Sequence, residues 1–261
     1  MCDYWGVLYR IWCTIDQIEC LGAIDMPPLV LITSDHIPQP QWRPLPRVRP
    51  GHAWYGVSVE YTEAITTCGG TPLIIPPGAH DADALVSAVD ALLLPGGHFD
   101  VHPSFYNQKI SGRIDRTLED RTSLEIQLIH AARAQGKPIL GICGGMQVLA
   151  VAMGGSLIGD LPAPTAGRYG HEQPTDPSTG WHDVKMEGMA AAIFGDKMRT
   201  NSTHHQAVDD PGGLRIVARA SDGVIEAIAA TTGFALGVQW HPELMGDYRP
   251  YQALIDATSS Q

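Results

Sequence analysis

Charge is scarce in this chain. Asp, Glu, Lys and Arg together make up 17% of its 261 residues, a share too low for a coiled coil or a disordered polymer. Positive charge is scarcer still: 17 Lys and Arg stand against 28 Asp and Glu, for a formal net charge of −11. No run of basic residues occurs, so nothing is available to neutralise a phosphate backbone and nucleic acid is not an expected partner. Internal repeats, low-complexity tracts and linkers are also lacking. No signal peptide is expected, because Asp3 sits where positive charge belongs and Arg10 breaks the apolar run. The same stretch is too short and, with Arg10, Asp16 and Glu19, too charged for a membrane span. Cysteines number five, at 2, 13, 20, 68 and 143. The odd count and the spacing fit no zinc site, and a reducing, cytoplasmic setting is expected.

Apolar residues reach 44%, enough for a substantial core in one large domain. Residues 1–25 are expected to be an extension outside the fold. The first strand is placed just after Met26, in Pro27-Pro28-Leu29-Val30-Leu31-Ile32-Thr33, and a single domain over 26–261 is expected.

From Leu29 on, short apolar runs alternate with amphipathic segments. Strands are expected at Leu29–Ile32, Pro72–Ile75, Ala91–Leu94 and Ile139–Ile142. Helices are expected at Val57–Thr67, at Asp81–Val89 with Asp81 as N-cap, and ahead of Gly136 with Leu124, Leu128, Ala131 and Ala132 on one face. This alternation indicates an α/β protein: three layers, a mostly parallel central sheet with helices on both faces, flavodoxin-like in arrangement. After Gly155, strands at 182–186, 214–220, 224–230 and 234–238, with an Asp222-Gly223 turn, add a small antiparallel region in the C-terminal part. Two stretches read as surface loops: Pro38 to Pro50, with five prolines, and the polar segment from His98 to about Arg116.

One junction stands out. The strand Ile139–Ile142 stops at Cys143, and a helical pattern of Met146, Leu149, Ala150 and Met153 begins at once. A sharp turn there pushes the sulfur out of the sheet, and the helix N-terminus favours a thiolate. Gly141, Gly144 and Gly145 supply the room such an elbow needs. A buried cysteine is more often plain core, but a core cysteine does not need those glycines. Near the C-terminus, Trp240-His241-Pro242-Glu243 offers an imidazole and a carboxylate to orient it. In an extended segment, positions i and i+2 point the same way.

Five segments, in order, resemble the class I glutamine amidotransferase-like superfamily, and within it the γ-glutamyl-γ-aminobutyrate hydrolase branch. They are Leu94-Pro95-Gly96-Gly97, the stretch from Gly136 to Gln147, Gly154-Gly155, Asn201-Ser202-Thr203-His204-His205-Gln206, and Gly237 to Glu243. The resemblance implies Cys143 as nucleophile, His241 as base and Glu243 as its orienting carboxylate. It implies the backbone N–H groups of Gly97 and Gly144 as oxyanion donors. Gln147, His204, His205 and Gln206 are implied near the substrate, and Asp100, Pro103 and Tyr106 resemble the branch too. It implies a small γ-glutamyl substrate and no cofactor. A metal at His204 and His205 is not expected, since neighbours in a strand point apart and no carboxylate or cysteine is placed to join them. Two positions depart from the branch. Gly144 stands where many members carry arginine, so the substrate's amine side is not fixed. Arg121-Thr122 stands where Arg-Asp is usual, which is expected to loosen a structural ion pair. Two alternatives stay open: a glutaminase subunit feeding ammonia to a separate synthase, and a non-catalytic binder of γ-glutamyl ligands. The quaternary state is open as well, a homodimer included.

Overall fold

The computed structural model describes residues 26–37, 54–78, 80–162 and 170–259. The extension expected over 1–25 and the proline-rich stretch from Pro38 to Pro50 lie outside them. Along the chain run β1 (Leu29–Thr33), β2 (Asp35–Ile37), β3 (Trp54–Gly56), α1 (Val59–Thr67), β4 (Thr71–Ile75), α2 (Ala82–Ser87), β5 (Ala91–Leu94), α3 (Glu119–Ala134), β6 (Ile139–Ile142) and α4 (Gly144–Ala152). There follow β7 (Ser156–Ile158), β8 (His182–Met186), α5 (Gly188–Phe194), β9 (Lys197–Thr200), β10 (Ala207–Asp210), β11 (Arg215–Ala220), β12 (Ile225–Ala229), β13 (Ala235–Val238) and α6 (Arg249–Thr258). The strands read from the sequence recur within a residue or two. Asp81 caps α2, its carboxylate accepting from the Ala84 N–H at 3.0 Å.

Nine strands form one sheet in the order β4-β1-β5-β6-β13-β12-β11-β8-β9. The first five are parallel and the last four antiparallel. The antiparallel strands expected in the C-terminal part are there, and they continue the main sheet. The cause is β13, which returns from the C-terminal part to pair in parallel with β6, Gly237 opposite Gly141. Two small antiparallel pairs, β7 with β10 and β2 with β3, stand apart.

Strand alternation splits the core in two. Val30 and Ile32 face α1, α5 and α6 through Tyr61, Ile65, Phe194 and Leu254. Leu31 faces the other way, toward Val86, Leu128 and Leu149 of α2, α3 and α4. Both faces are covered, which is why the parallel strands read as continuous apolar runs. Helix α4 is buried on every side from Gly144 to Val151 rather than on one face. It presses against the sheet because two glycines leave room. A Cβ on Gly141 would come within 2.7 Å of the Gly145 carbonyl oxygen, and one on Gly145 within 2.0 Å of the Leu94 carbonyl oxygen.

The segment from His98 to Arg116 is not a solvated loop throughout. Asp100, Val101, Pro103 and Tyr106 are buried, because the segment folds back as a 3₁₀ turn at Pro103–Tyr106 and bridges Asp100 to Thr117. Nor is the ion pair at the start of α3 loosened. Arg121 and Glu125, one turn apart and both fully buried, pair at 2.8 Å. Among the described residues no helix is long and apolar enough to cross a membrane.

Candidate active site

Three neighbouring parallel strands, β5, β6 and β13, end side by side. Their carboxyl ends deliver Gly96 and Gly97, Cys143, and Gln239 to His241, at the edge where such sheets place their sites. Cys143 sits alone between β6 and α4 with φ 50° and ψ −108°. A left-handed φ is costly for a residue with a Cβ and is held only where the surroundings over-determine it. Here the Cys143 N–H donates to the Val238 carbonyl at 2.8 Å, and its carbonyl accepts from the Gln147 N–H at 3.2 Å. The thiol is thus turned out of the sheet at the head of a helix.

The structure brings His241 and Glu243 to this thiol. His241 Nδ1 lies 2.6 Å from Glu243 Oε1, and the imidazole and the Cys143 side chain both border Gly96. The reason differs from the one expected. The segment is not extended there: Pro242 has helical angles and Glu243 opens a 3₁₀ turn. That turn, not strand alternation, aligns the two side chains. Burial alone would depress the imidazole pKa, but Cys143 and then Glu243 outweigh it and hold it well above the ordinary value. The neighbours thus favour the protonated imidazole.

Several residues that hold this pair were not singled out in the sequence. Asn201 clasps the His241 backbone at both ends, accepting its N–H at 2.8 Å and donating to its carbonyl at 2.9 Å. The Tyr251 hydroxyl donates to Glu243 Oε2 at 3.1 Å. The Tyr61 hydroxyl accepts the Gly96 N–H at 3.0 Å and lies 3.4 Å from His241 Nδ1. Burial, then the charges of Glu243 and Cys143, raises the Tyr61 pKa well above the phenol value, so it stays neutral. Gly96 is pinched between the imidazole and the cysteine. A Cβ there would lie 2.7 Å from His241 Cε1 and 3.2 Å from Cys143 Cβ, so imidazole and cysteine close around a residue that has no side chain.

Gly97 and Gly144 abut one aromatic ring. A Cβ on Gly97 would meet Phe99 at 2.9 Å, and one on Gly144 would meet it at 3.4 Å. The two glycines expected to donate to the oxyanion therefore both border the same ring. Phe99 is stacked by Arg121, whose guanidinium carbon lies 4.2 Å from the ring centroid. Arg121 also donates to the Pro95 carbonyl at 2.6 Å. The buried ion pair of α3 thus braces the Pro-Gly-Gly loop. Phe99 had no signal in the sequence beyond its place after the glycines.

The four remaining candidates are not gathered on the thiol. Gln147 donates to the Gln206 carbonyl at 3.0 Å and to Gln239 Oε1 at 3.2 Å, and Gln239 Nε2 lies 3.6 Å from Cys143 Sγ. Gln147 acts as a strut between β13 and the 201–206 segment. Gln206 clamps Val101, its Oε1 accepting the Val101 N–H at 2.9 Å. His204 and His205 point apart as expected, but both meet carboxylates, which corrects the premise on which a metal was set aside. His205 lies between Asp100 at 2.9 Å and Asp160 at 3.2 Å. His204 turns inward to Glu226. These acids lie far off in sequence, on the loop after β5, after β7 and on β12, so spacing along the chain gave no sign of them.

Around Glu226 a second buried cluster forms, with His171, His182 and His204. Burial, then the His171 charge, lowers the His182 pKa to about 4. Burial raises the Glu226 carboxyl.

With this geometry in hand, relatives can be compared. A family model described as peptidase C26 matches residues 47–243. A glutamine amidotransferase-like protein of Rickettsia prowazekii (strain Madrid E) is 33% identical over 252 residues, covering 78% of this chain and 90% of that protein. The gamma-glutamyl-gamma-aminobutyrate hydrolase PuuD of Escherichia coli (strain K12) is 34% identical over 210 residues, covering 74% and 80%. The crystal structure of a glutamine amido transferase from Methylobacillus flagellatus shares the fold, with a TM-score of 0.52, 19% identity, and coverage of 84% of this chain and 70% of that one. The chain belongs to the peptidase C26 family of class I glutamine amidotransferase-like proteins.

Proposed function

We propose that this protein is a cysteine hydrolase of γ-glutamyl amides, cleaving γ-glutamylated amines such as γ-glutamyl-GABA to glutamate and free amine. The observation that carries the reading is the convergence of Cys143, His241 and Glu243 at adjoining strand ends, with Gly96 pinched between thiol and imidazole.

The chemistry follows from the placement. The Cys143 sulfur attacks the γ-carbonyl carbon while His241 holds the thiol proton. The carbonyl oxygen becomes an oxyanion facing the N–H groups of Gly144 and Gly97, each donor worth about 3 kcal/mol of barrier. His241 then gives its proton to the departing nitrogen, the C–N bond breaks, and a γ-glutamyl thioester remains. Water, deprotonated by the same imidazole, attacks the thioester, releases glutamate and restores the thiol. Glu243 keeps Nδ1 engaged throughout, so the other ring nitrogen does the proton transfer. Polyamine and amine breakdown is the setting such substrates imply.

The test is a panel of γ-glutamyl amines, glutamine and folate polyglutamates given to the purified chain alone, with released amine measured. Turnover of γ-glutamyl amines that vanishes in Cys143→Ala is expected. Turnover appearing only when a synthase is added would transfer the reading to an ammonia-supplying subunit, and undiminished activity in Cys143→Ala would overturn it.

A further inference from the structure

We propose that His171, His182 and Glu226, with His204 beside them, form a buried site for a divalent transition-metal cation of the zinc type, separate from Cys143 and not used in its chemistry. His171 Nδ1, His182 Nε2 and His204 Nε2 lie 3.3, 3.4 and 3.8 Å from one atom, Glu226 Oε1. The ligand atoms of His171, His182 and Glu226 all lie within 4.8 Å of one another. A tetrahedral zinc with bonds of about 2.0–2.2 Å has ligand-to-ligand edges of about 3.3–3.6 Å. The His171 and His182 distances to Glu226 match such an edge, and His204, at 3.8 Å, stands just outside it.

The polar atoms ask for a cation. All four side chains are buried, Glu226 completely. His182 Nε2, His204 Nε2 and both Glu226 carboxylate oxygens have no hydrogen-bond partner. Four such orphans around one point are a heavy burden, because each unmet buried polar group costs about 1–3 kcal/mol. The outward faces of the rings point to the same answer. His171 Nε2 lies 3.0 Å from Asp222 Oδ2 and His204 Nδ1 2.9 Å from the Gln206 carbonyl. With the ring N–H on these outer nitrogens, the inward nitrogens carry lone pairs, the arrangement found behind metal-bound histidines; His171 Nδ1 also lies 3.3 Å from the Ser202 hydroxyl, which donates to the His171 carbonyl. Bare lone pairs aimed at a carboxylate repel it unless a positive charge stands between them. One proton on His171 would serve one ring and leave His182 and His204 unmet. A cation serves His171, His182 and Glu226 at once, with His204 the nearest further imidazole, and imidazole with carboxylate suits zinc.

The experiment uses the full chain, expressed in zinc-supplemented medium and dialysed against metal-free buffer. Elemental analysis by plasma mass spectrometry is expected to find about one divalent transition metal per chain. After chelation, cobalt(II) is expected to restore the lost melting temperature and to give the visible absorption of a four-coordinate centre. Glu226→Gln and His182→Asn are expected to lose the metal, while His80→Asn, an exposed histidine, keeps it. Should the first two fail to fold, the cobalt spectrum of the unaltered chain decides. A folded chain that carries no stoichiometric metal, takes up neither zinc nor cobalt and gains no stability from either overturns the proposal. So does a Glu226→Gln chain that binds metal as the unaltered one does.

Discussion

Gly96→Ala is the sharpest test of how the site is assembled. The added methyl would stand 2.7 Å from His241 Cε1, 3.1 Å from the Tyr61 hydroxyl oxygen and 3.2 Å from Cys143 Cβ. Relaxed carbon contacts lie near 3.5–4.0 Å, so the imidazole must retreat by about 1 Å. Tyr61 and Cys143 block the sideways escapes. The backbone at Gly96 is not left-handed, so alanine meets no conformational barrier, and the whole effect comes from the pinch. Overpacking of this size costs about 1–3 kcal/mol of stability. In a chain of this length that is a loss of several degrees in melting temperature, at roughly 2–4 °C per kcal/mol. Activity should suffer far more. A displacement of about 1 Å between reacting groups lowers rate by about 100-fold. The assay is steady-state amine release from a γ-glutamyl amine, read beside thermal unfolding. Gly213→Ala serves as the control, since its methyl would meet its nearest neighbour at an ordinary 3.5 Å. A Gly96→Ala enzyme within about threefold of the unaltered rate would refute the geometry.

Other perturbations separate the parts. Cys143→Gly removes the proposed nucleophile and relieves the left-handed strain at φ 50°; it should abolish turnover yet unfold at higher denaturant than Cys143→Ala, by about 1 kcal/mol in equilibrium unfolding. Glu243→Gln withdraws one of the groups that hold the His241 pKa above its ordinary value. The imidazolium should then be lost at lower pH, and the alkaline limb of the kcat/KM profile should move down; an unmoved limb would count against the pairing. Because the folded pKa of His241 is raised, its contribution to stability is complete below the ordinary imidazole value and is lost as pH rises through the folded one. Glu125→Ala strands the buried Arg121 guanidinium and should destabilise the chain by about 3–5 kcal/mol in urea titration, where a change under 1 kcal/mol would contradict the brace.

Much of the frame was legible because the parallel strands are buried on both faces and spell apolar runs, with glycines marking their ends. The elbow at Cys143 was legible for the same reason: Gly141 and Gly145 are required by close approach, and close approach leaves a mark in sequence. The His241–Glu243 pair was legible by position, but the turn that aligns it was not, since Pro242 supports a helical start as readily as an extended link. What escaped depends on long-range packing. Phe99 gains its place only when α3 carries Arg121 over the Pro-Gly-Gly loop. Glu226 sits in a fully buried strand where its neighbours are apolar, and only the sheet brings it to three histidines 22 to 55 positions away. The placement of β13 beside β6 was equally silent, because strand order is decided by pairing and not by local pattern.

The most direct measurement is the mass of the chain after rapid quench with a γ-glutamyl amide, followed by peptide mapping. The account expects a γ-glutamyl group on Cys143 whose formation keeps pace with release of the amine. Amine released with no adduct on that residue, or with the adduct elsewhere, would contradict it.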